Sequence, residues 1–181
     1  MTILVIADDD LLFAKLPDVR ADIMISCGDL PDELILRAAQ RCRCIQILAV
    51  KGNHDSNAEF ASPIVNLHRR THTVFGVTFG GFAGAWKYKP RGHHLYEQNE
   101  VEEALRNFPH VDVFVAHNSP RFTHDRDDDV HLGFQAFVPY IENERPRFFL
   151  HGHQHMNKET SMGLTKVIGT YGHRFIVVEE R

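Results

Sequence analysis

Five short polar runs carry the side chains best suited to chemistry. The run Gly52-Asn53-His54-Asp55 places an amide beside an imidazole. An asparagine carbonyl oxygen is a neutral, hard metal ligand, and a neighbouring histidine can donate a proton or hydrogen-bond a phosphoryl oxygen. Gly52 would let the chain turn sharply, so that both side chains reach one spot. Alone, such a tetrapeptide also reads as an ordinary polar turn after a strand. Four other runs end in the same manner: Asp8-Asp9-Asp10, Gly28-Asp29, His117-Asn118 and Gly152-His153-Gln154-His155. Together Asp8, Asp29, Asn53, His117, His153 and His155 offer carboxylates, an amide and imidazoles, with no thiolate. Such a mixed N/O set suits Mn²⁺, Fe or Zn²⁺, or a pair of them, and not a structural cysteine-type zinc site.

The elements that must position these residues precede them directly. Ile3–Ala7, Ala21–Cys27, Ile45–Val50, Val111–Ala116 and Arg147–Leu150 are mostly apolar runs, the pattern of strands buried on both faces. Pro31 opens a helix with Asp32 and Glu33 in its first turn and Leu34, Ile35, Ala38 and Ala39 on one face. Strand, helix, strand is the βαβ order of a parallel sheet. In such a sheet the carboxyl ends of the strands lie along one edge, so residues distant in sequence converge there.

Beyond residue 60 the character changes. Segments 63–67, 71–75 and 76–79 read as short strands. The glycine-rich stretch 80–94 reads as a loop carrying Trp86, Lys87, Tyr88, Lys89, Arg91, His93 and His94. Interleaved aromatic and basic residues can grip a substrate phosphate, or simply cover a sheet edge. Asn99 with Glu102 predicts a capping box for a helix running to Phe108. Phe134, Phe137, Val138 and Ile141 mark a further helix stopped by Pro146, and 164–169 and 174–178 read as closing strands. His124 and His131 fit a cleft or a solvated loop, His151 and His173 a supporting or core position, and Asp55 a turn held by local hydrogen bonds.

Composition bounds the rest. The 181 residues fit a single domain over 1–181 with a well-buried core. A net charge of -4 gives no general nucleic-acid-binding surface. The 13 histidines are many for this length and fall mostly in polar turns, which favours metal or acid–base chemistry. No apolar stretch is long enough to span a bilayer, so no membrane partner is expected. Met1-Thr2 leads straight into Ile3-Leu4-Val5-Ile6-Ala7, which reads as a strand and not a signal peptide. Cys27, Cys42 and Cys44 are an odd set of thiols, expected to be reduced in a cytoplasmic protein.

The ordered set Asp8-Asp9-Asp10, Gly28-Asp29, Gly52-Asn53-His54-Asp55, His117 and Gly152-His153-Gln154-His155 resembles the calcineurin-like metallophosphoesterase superfamily, over almost the whole chain. The resemblance implies a four-layer α-β-β-α sandwich of two mixed β-sheets flanked by helices, with the metal site at the carboxyl ends of the strands. It also implies two divalent ions about 3.5–4 Å apart, Mn²⁺ first and Fe, Zn²⁺ or Mg²⁺ as alternatives. Asp29 would bridge them. Asp8, Asp10 and His155 would hold one ion, and Asn53, His117 and His153 the other. A metal-bridging hydroxide would attack phosphorus in line, His54 would face the phosphoryl group, and Asp32 would orient His54. The implied activity is that of a small phosphodiesterase acting on a small phosphate ester, with Arg91 a candidate for the substrate oxygens.

One departure stands out. The family motif usually reads Asp-x-His, and here its last residue is Asp10. A carboxylate adds negative charge and hardens that position, towards Mn²⁺ or Mg²⁺. It also leaves an alternative, a catalytically weak or inactive scaffold of this fold that binds a protein partner. Against that alternative, Asn53 and His54 are both present.

Overall fold

The computed structural model describes residues 1–179. In chain order the elements are β1 (Thr2–Ala7), α1 (Leu12–Lys15), β2 (Ile23–Ser26), α2 (Asp32–Arg41), β3 (Gln46–Ala49), β4 (Val65–Asn66), β5 (Thr71–Val74), β6 (Val77–Phe82), β7 (Ala85–Trp86), β8 (Leu95–Tyr96), α3 (Gln98–Leu105), β9 (Val113–Ala116), α4 (Phe137–Glu144), β10 (Phe148–His151), β11 (Lys158–Met162), β12 (Thr165–Gly169) and β13 (Gly172–Val177). One sheet has the order β13-β1-β2-β3-β4, the other β11-β12-β10-β9-β6-β5. Both are mixed. β1 to β4 run parallel with β13 antiparallel at the edge. β6, β9, β10 and β12 run parallel, flanked by the antiparallel β5 and β11. β7 and β8 form a small parallel pair of their own.

The alternation of side chains along each strand builds four layers. Ile3, Val5 and Ala7 point into a core shared by the two sheets, with Ile23, Ile25, Leu48, Phe79, Val113, Val115 and Leu150. Leu4 and Ile6, on the opposite face of β1, pack with Leu12 of α1 and Ile35, Ala38 and Ala39 of α2. Phe114 and Phe149 pack outward against Val101 and Leu105 of α3 and Phe137, Tyr140 and Ile141 of α4. Phe114 stacks on Phe149 at 5.1 Å and meets Phe137 edge-on at 5.6 Å. Such ring pairs add roughly 0.5–1.5 kcal/mol each beyond the area they bury. The architecture is the expected α-β-β-α sandwich, and the continuous apolar runs are its doubly covered central strands.

Three local expectations need correction. The capping box of α3 uses Glu97 and Glu100, not Asn99 and Glu102, because the helix begins at Gln98. The stretch 80–94 is not all loop: β6 continues through Gly80 and Gly81 to Phe82, paired with Phe114, Val115 and Ala116. β11 stands where no strand was expected. Among the described residues, no helix is long and apolar enough to cross a membrane.

Candidate metal centre

The parallel strands of both sheets end at one rim. Asp8 follows β1, Asp29 lies just beyond β2, Asn53 beyond β3, His117 directly after β9, and His153 two residues past β10. Asp8, Asp29 and His117 each offer one potential ligand atom, and these atoms all lie within 4.8 Å of one another. His117 Nδ1 lies 2.7 Å from the Cys27 carbonyl. A carbonyl only accepts, so Nδ1 carries the proton of that bond. Nε2 then faces Asp29 Oδ2 at 3.3 Å and Asn53 Oδ1 at 3.0 Å. Asn53 is oriented from its other end, where Nδ2 donates to the Tyr88 hydroxyl at 3.3 Å. The His153 ring lies 5.0 Å from that of His117, and its Nε2 donates to the Val130 carbonyl at 3.1 Å, which leaves Nδ1 free. In metal sites a ligating imidazole is held in this way, by a carbonyl on its second nitrogen.

The backbone is bent to achieve this. Asp8, Asp29, His153 and His155 have φ between 49° and 62°, in the left-handed region that residues other than glycine rarely adopt. Such conformations cost of order 1 kcal/mol or more each and collect at functional sites. Asp55 accepts from the backbone N–H of Gly52 (2.7 Å) and of Asp29 (2.9 Å), tying the third strand end to the second. Asp29 Oδ1 accepts from the N–H of His54 at 2.8 Å. Gly52 is needed here for space rather than for a turn. A Cβ at this position would stand 2.0 Å from Asp29 Oδ1.

The electrostatics call for positive charge. Burial raises the Asp8 carboxyl to about 7, against the pull of His117 and with Asp29 adding to the rise. Burial also opposes ionisation of Asp29, but His117 and the His54 N–H outweigh it and hold this carboxyl well below the usual range. For His117 burial again opposes charge, yet Asp29 and Asp8 raise it to about 9. Burial beside His117 lowers His153 to about 3. Asp8 Oδ1 is buried with no hydrogen-bond partner among the described residues. An orphaned carboxylate oxygen, an imidazole nitrogen without a partner among the described residues and two oxygens aimed at a second imidazole nitrogen fit a divalent cation of the Mn²⁺, Fe or Zn²⁺ type.

The other expected site residues sit further out. Asp10 is exposed and lines a cavity of about 380 Å³ with Asp29, Asp32, Lys51 and His54. His155 is exposed, with its ring 5.1 Å from that of Tyr171. Neither joins the Asp8, Asp29 and His117 cluster. Asp32 shares the cavity with His54, but its oxygens accept from Lys51 Nζ (3.2 Å) and the Ala61 N–H (2.7 Å). The His54 ring makes no hydrogen bond among the described residues. Arg91 is exposed on the segment between β7 and β8. Asp9 turns away from the rim, bonding Lys15 at 2.9 Å. Sequence reasoning missed two parts. The sequence places Tyr88 in a loop that grips a substrate or covers a sheet edge, and gives no sign that it partners Asn53. Lys51, the residue before Gly52, is buried between Asp32 and the Phe60 ring; an isolated lysine after an apolar run was its only signal.

The model of the calcineurin-like phosphoesterase superfamily domain matches residues 1–171. A comparison with curated protein sequences gives no match. Among solved structures, phosphopantetheinyl hydrolase (PptH) from Mycobacterium tuberculosis superposes with a TM-score of 0.67 at 12% identity, covering 98% of this chain and 96% of that one. TT1561 of Thermus thermophilus gives 0.63 at 19% identity over 94% and 88%. Zn²⁺-complexed Vps29 from Entamoeba histolytica gives 0.51 at 13% identity over 94% and 74%. At these identities the superpositions speak for the fold alone. With the family match over nearly its full length and the ligand cluster at its strand ends, the chain belongs to the calcineurin-like phosphoesterase superfamily.

Proposed function

We propose that this chain is a metal-dependent phosphoesterase, and within that class a phosphodiesterase acting on a small phosphate ester as one cytoplasmic domain. The observation that carries the reading is the cluster of Asp8, Asp29 and His117, with Asn53 Oδ1 on His117 Nε2, the His153 ring 5.0 Å from that of His117, and Asp8 Oδ1 without a hydrogen-bond partner among the described residues. Asp29, Asn53, His117 and His153 would hold one ion. Asp8, Asp10 and His155, with Asp29 shared, would hold a second, with Asp10 and His155 moving inward to do so. A bound pair of such ions supplies Lewis-acid polarisation of phosphoryl oxygens and brings the pKa of a water towards neutrality.

The chain's own residues supply the rest. His54 is anchored through its backbone to Asp29, so its ring is carried beside the metal cluster while still lining the cavity. From there it donates a hydrogen bond to a phosphoryl oxygen or a proton to the leaving oxygen. Asp32 and Lys51 line the same cavity, and Asp32, fixed by Lys51 Nζ and the Ala61 N–H, is the carboxylate that would orient His54. A cavity of about 380 Å³ is near the lower end of small-ligand sites, which supports a small ester. Arg91 is exposed and free to meet its outer oxygens.

A second reading, a scaffold that binds a protein partner, is favoured by Asp10 and His155 standing outside the cluster. Purified protein supplied with Mn²⁺ and assayed on an aryl phosphodiester beside an aryl phosphomonoester separates the two. The proposal expects turnover, faster on the diester. No turnover with Mn²⁺, Mg²⁺, Zn²⁺ or Fe²⁺ selects the scaffold.

A further inference from the structure

A chain of buried hydrogen bonds runs from β11 to the metal centre. Thr160 Oγ1 lies 2.9 Å from His124 Nε2, His124 Nδ1 lies 2.8 Å from His151 Nε2, and His151 Nδ1 lies 3.0 Å from the Gly152 carbonyl. The two imidazoles are buried, His151 completely. The last acceptor sets the direction of every link. A carbonyl cannot donate, so His151 must carry its proton on Nδ1 and accept at Nε2. His124 must then donate from Nδ1 and accept at Nε2, and the Thr160 hydroxyl donates to it. One proton assignment satisfies all four groups.

The chain does not stop at that carbonyl. The same peptide group presents the His153 N–H, which donates to Asp8 Oδ2 at 2.9 Å. This is the one hydrogen bond the Asp8 carboxylate makes among the described residues, and its other oxygen, Oδ1, is the orphan of the metal centre. Gly152 permits the approach, since a Cβ there would stand 2.6 Å from Asp8 Oδ2. The orientation of Asp8 thus depends on a single peptide plane, whose carbonyl is gripped on its far side by His151 Nδ1 and by the Gln154 N–H at 2.7 Å. Aligned hydrogen bonds of this kind also polarise one another.

We infer that Thr160, His124 and His151 are positioning residues that hold the Gly152–His153 peptide so that Asp8 turns its free oxygen towards the metal. The inference rests on the reading of Asp8 as a metal ligand. With its donor to His151 removed, His151 is free to carry its proton on Nε2. Its Nδ1 then repels the Gly152 carbonyl, and the peptide, left with the Gln154 N–H alone, holds Asp8 less firmly.

The test is calorimetric titration of the full chain with Mn²⁺, beside thermal unfolding without metal. The set comprises wild type, Asp8→Ala, His124→Ala, His124→Asn and Thr160→Val. Loss of such outer partners weakens metal affinity by about 10–100-fold, and His124→Ala is expected in that range. Thr160→Val, which keeps the shape, falls at its lower end. His124→Asn keeps an N–H near the Nδ1 position and loses less than the roughly 10-fold lower bound of that range. Asp8→Ala losing the second Mn²⁺ while a folded His124→Ala binds both as wild type does overturns the positioning role alone. Wild type failing to bind Mn²⁺, or Asp8→Ala binding it unchanged, overturns the site itself and the inference with it. A readout without variants is the imidazole ¹⁵N spectrum of the metal-free protein. Both His124 and His151 are expected as Nδ1–H tautomers, and an Nε2–H at His151 refutes the inference.

Discussion

Gly52→Ala tests the packing of the metal centre at its tightest point. The added Cβ would stand 2.0 Å from Asp29 Oδ1 and 2.5 Å from Asp29 Cγ, where real Cβ atoms essentially never come closer than 3.0 Å. The carboxylate must therefore retreat by about 1.0 Å, its 2.8 Å bond from the His54 N–H breaks, and the Asp29 backbone nitrogen, 2.7 Å from the added Cβ, must shift as well. A hydrogen bond to a charged group contributes about 1.5–3 kcal/mol. Position 52 is not left-handed, so alanine recovers about 0.4–1 kcal/mol through the unfolded chain. The net loss is about 0.5–2.6 kcal/mol before the backbone shift adds to it, or roughly 1–10 °C in Tm at this size. Function suffers more than stability, because a displacement of ~1 Å in a reacting site costs about 10²-fold. Thermal unfolding and Mn²⁺-dependent hydrolysis of an aryl phosphodiester measure both. A variant that melts at or above wild type with full turnover would show that Asp29 is not held against Gly52.

Three further outcomes are expected. His54→Ala loses roughly 10²–10⁴-fold in kcat, the range for a general acid, while Mn²⁺ content by elemental analysis stays at the wild-type level; retained turnover removes His54 from the chemistry. Asp10→His changes metal content and activity together, with a gain in Zn²⁺ over Mn²⁺; no change in either shows that Asp10 is not a ligand. His68 gives a stability prediction away from the metal. Burial, then the charges of Arg69, His94 and Arg70, lower it from 6.5 to about 4, and its Nδ1 accepts from the Ala83 N–H at 3.0 Å. The unfolded chain takes up that proton first, so the stabilisation is complete above pH 6.5 and is lost as pH falls towards 4. At 1.36 kcal/mol per unit the change is up to ~3.4 kcal/mol. His68→Asn keeps an acceptor and cannot titrate, so its denaturant-derived stability falls less steeply over that window; a slope equal to wild type contradicts the burial of a neutral His68.

What could be read from the sequence follows from what was buried on both faces. The apolar runs before Asp8, Asp29, Asn53 and His117 are central strands covered by helices on one side and a second sheet on the other, so they show as unbroken hydrophobic segments. That made the strand ends, and with them the cluster of Asp8, Asp29 and His117, visible before any coordinates. β11, Lys158–Met162, is an exposed edge strand whose polar composition carries no such mark. Gly80 and Gly81 read as loop signals, yet they are strand residues beside Phe114 and Val115, because glycine type does not say whether a neighbouring strand comes close. Contacts made across the fold were equally hidden. Nothing local joins Tyr88 to Asn53, or Thr160 to His124 and His151. Only the meeting of two sheets at a rim creates them.

Anomalous diffraction from crystals grown with Mn²⁺ tests the central claim most directly. A peak coordinated by Asp29, Asn53 Oδ1 and His117 Nε2, with a second beside Asp8 and Asp10, is the predicted result. Mn²⁺ bound elsewhere, with the His117–Asp29 contact of 3.3 Å left closed around a proton, would contradict it.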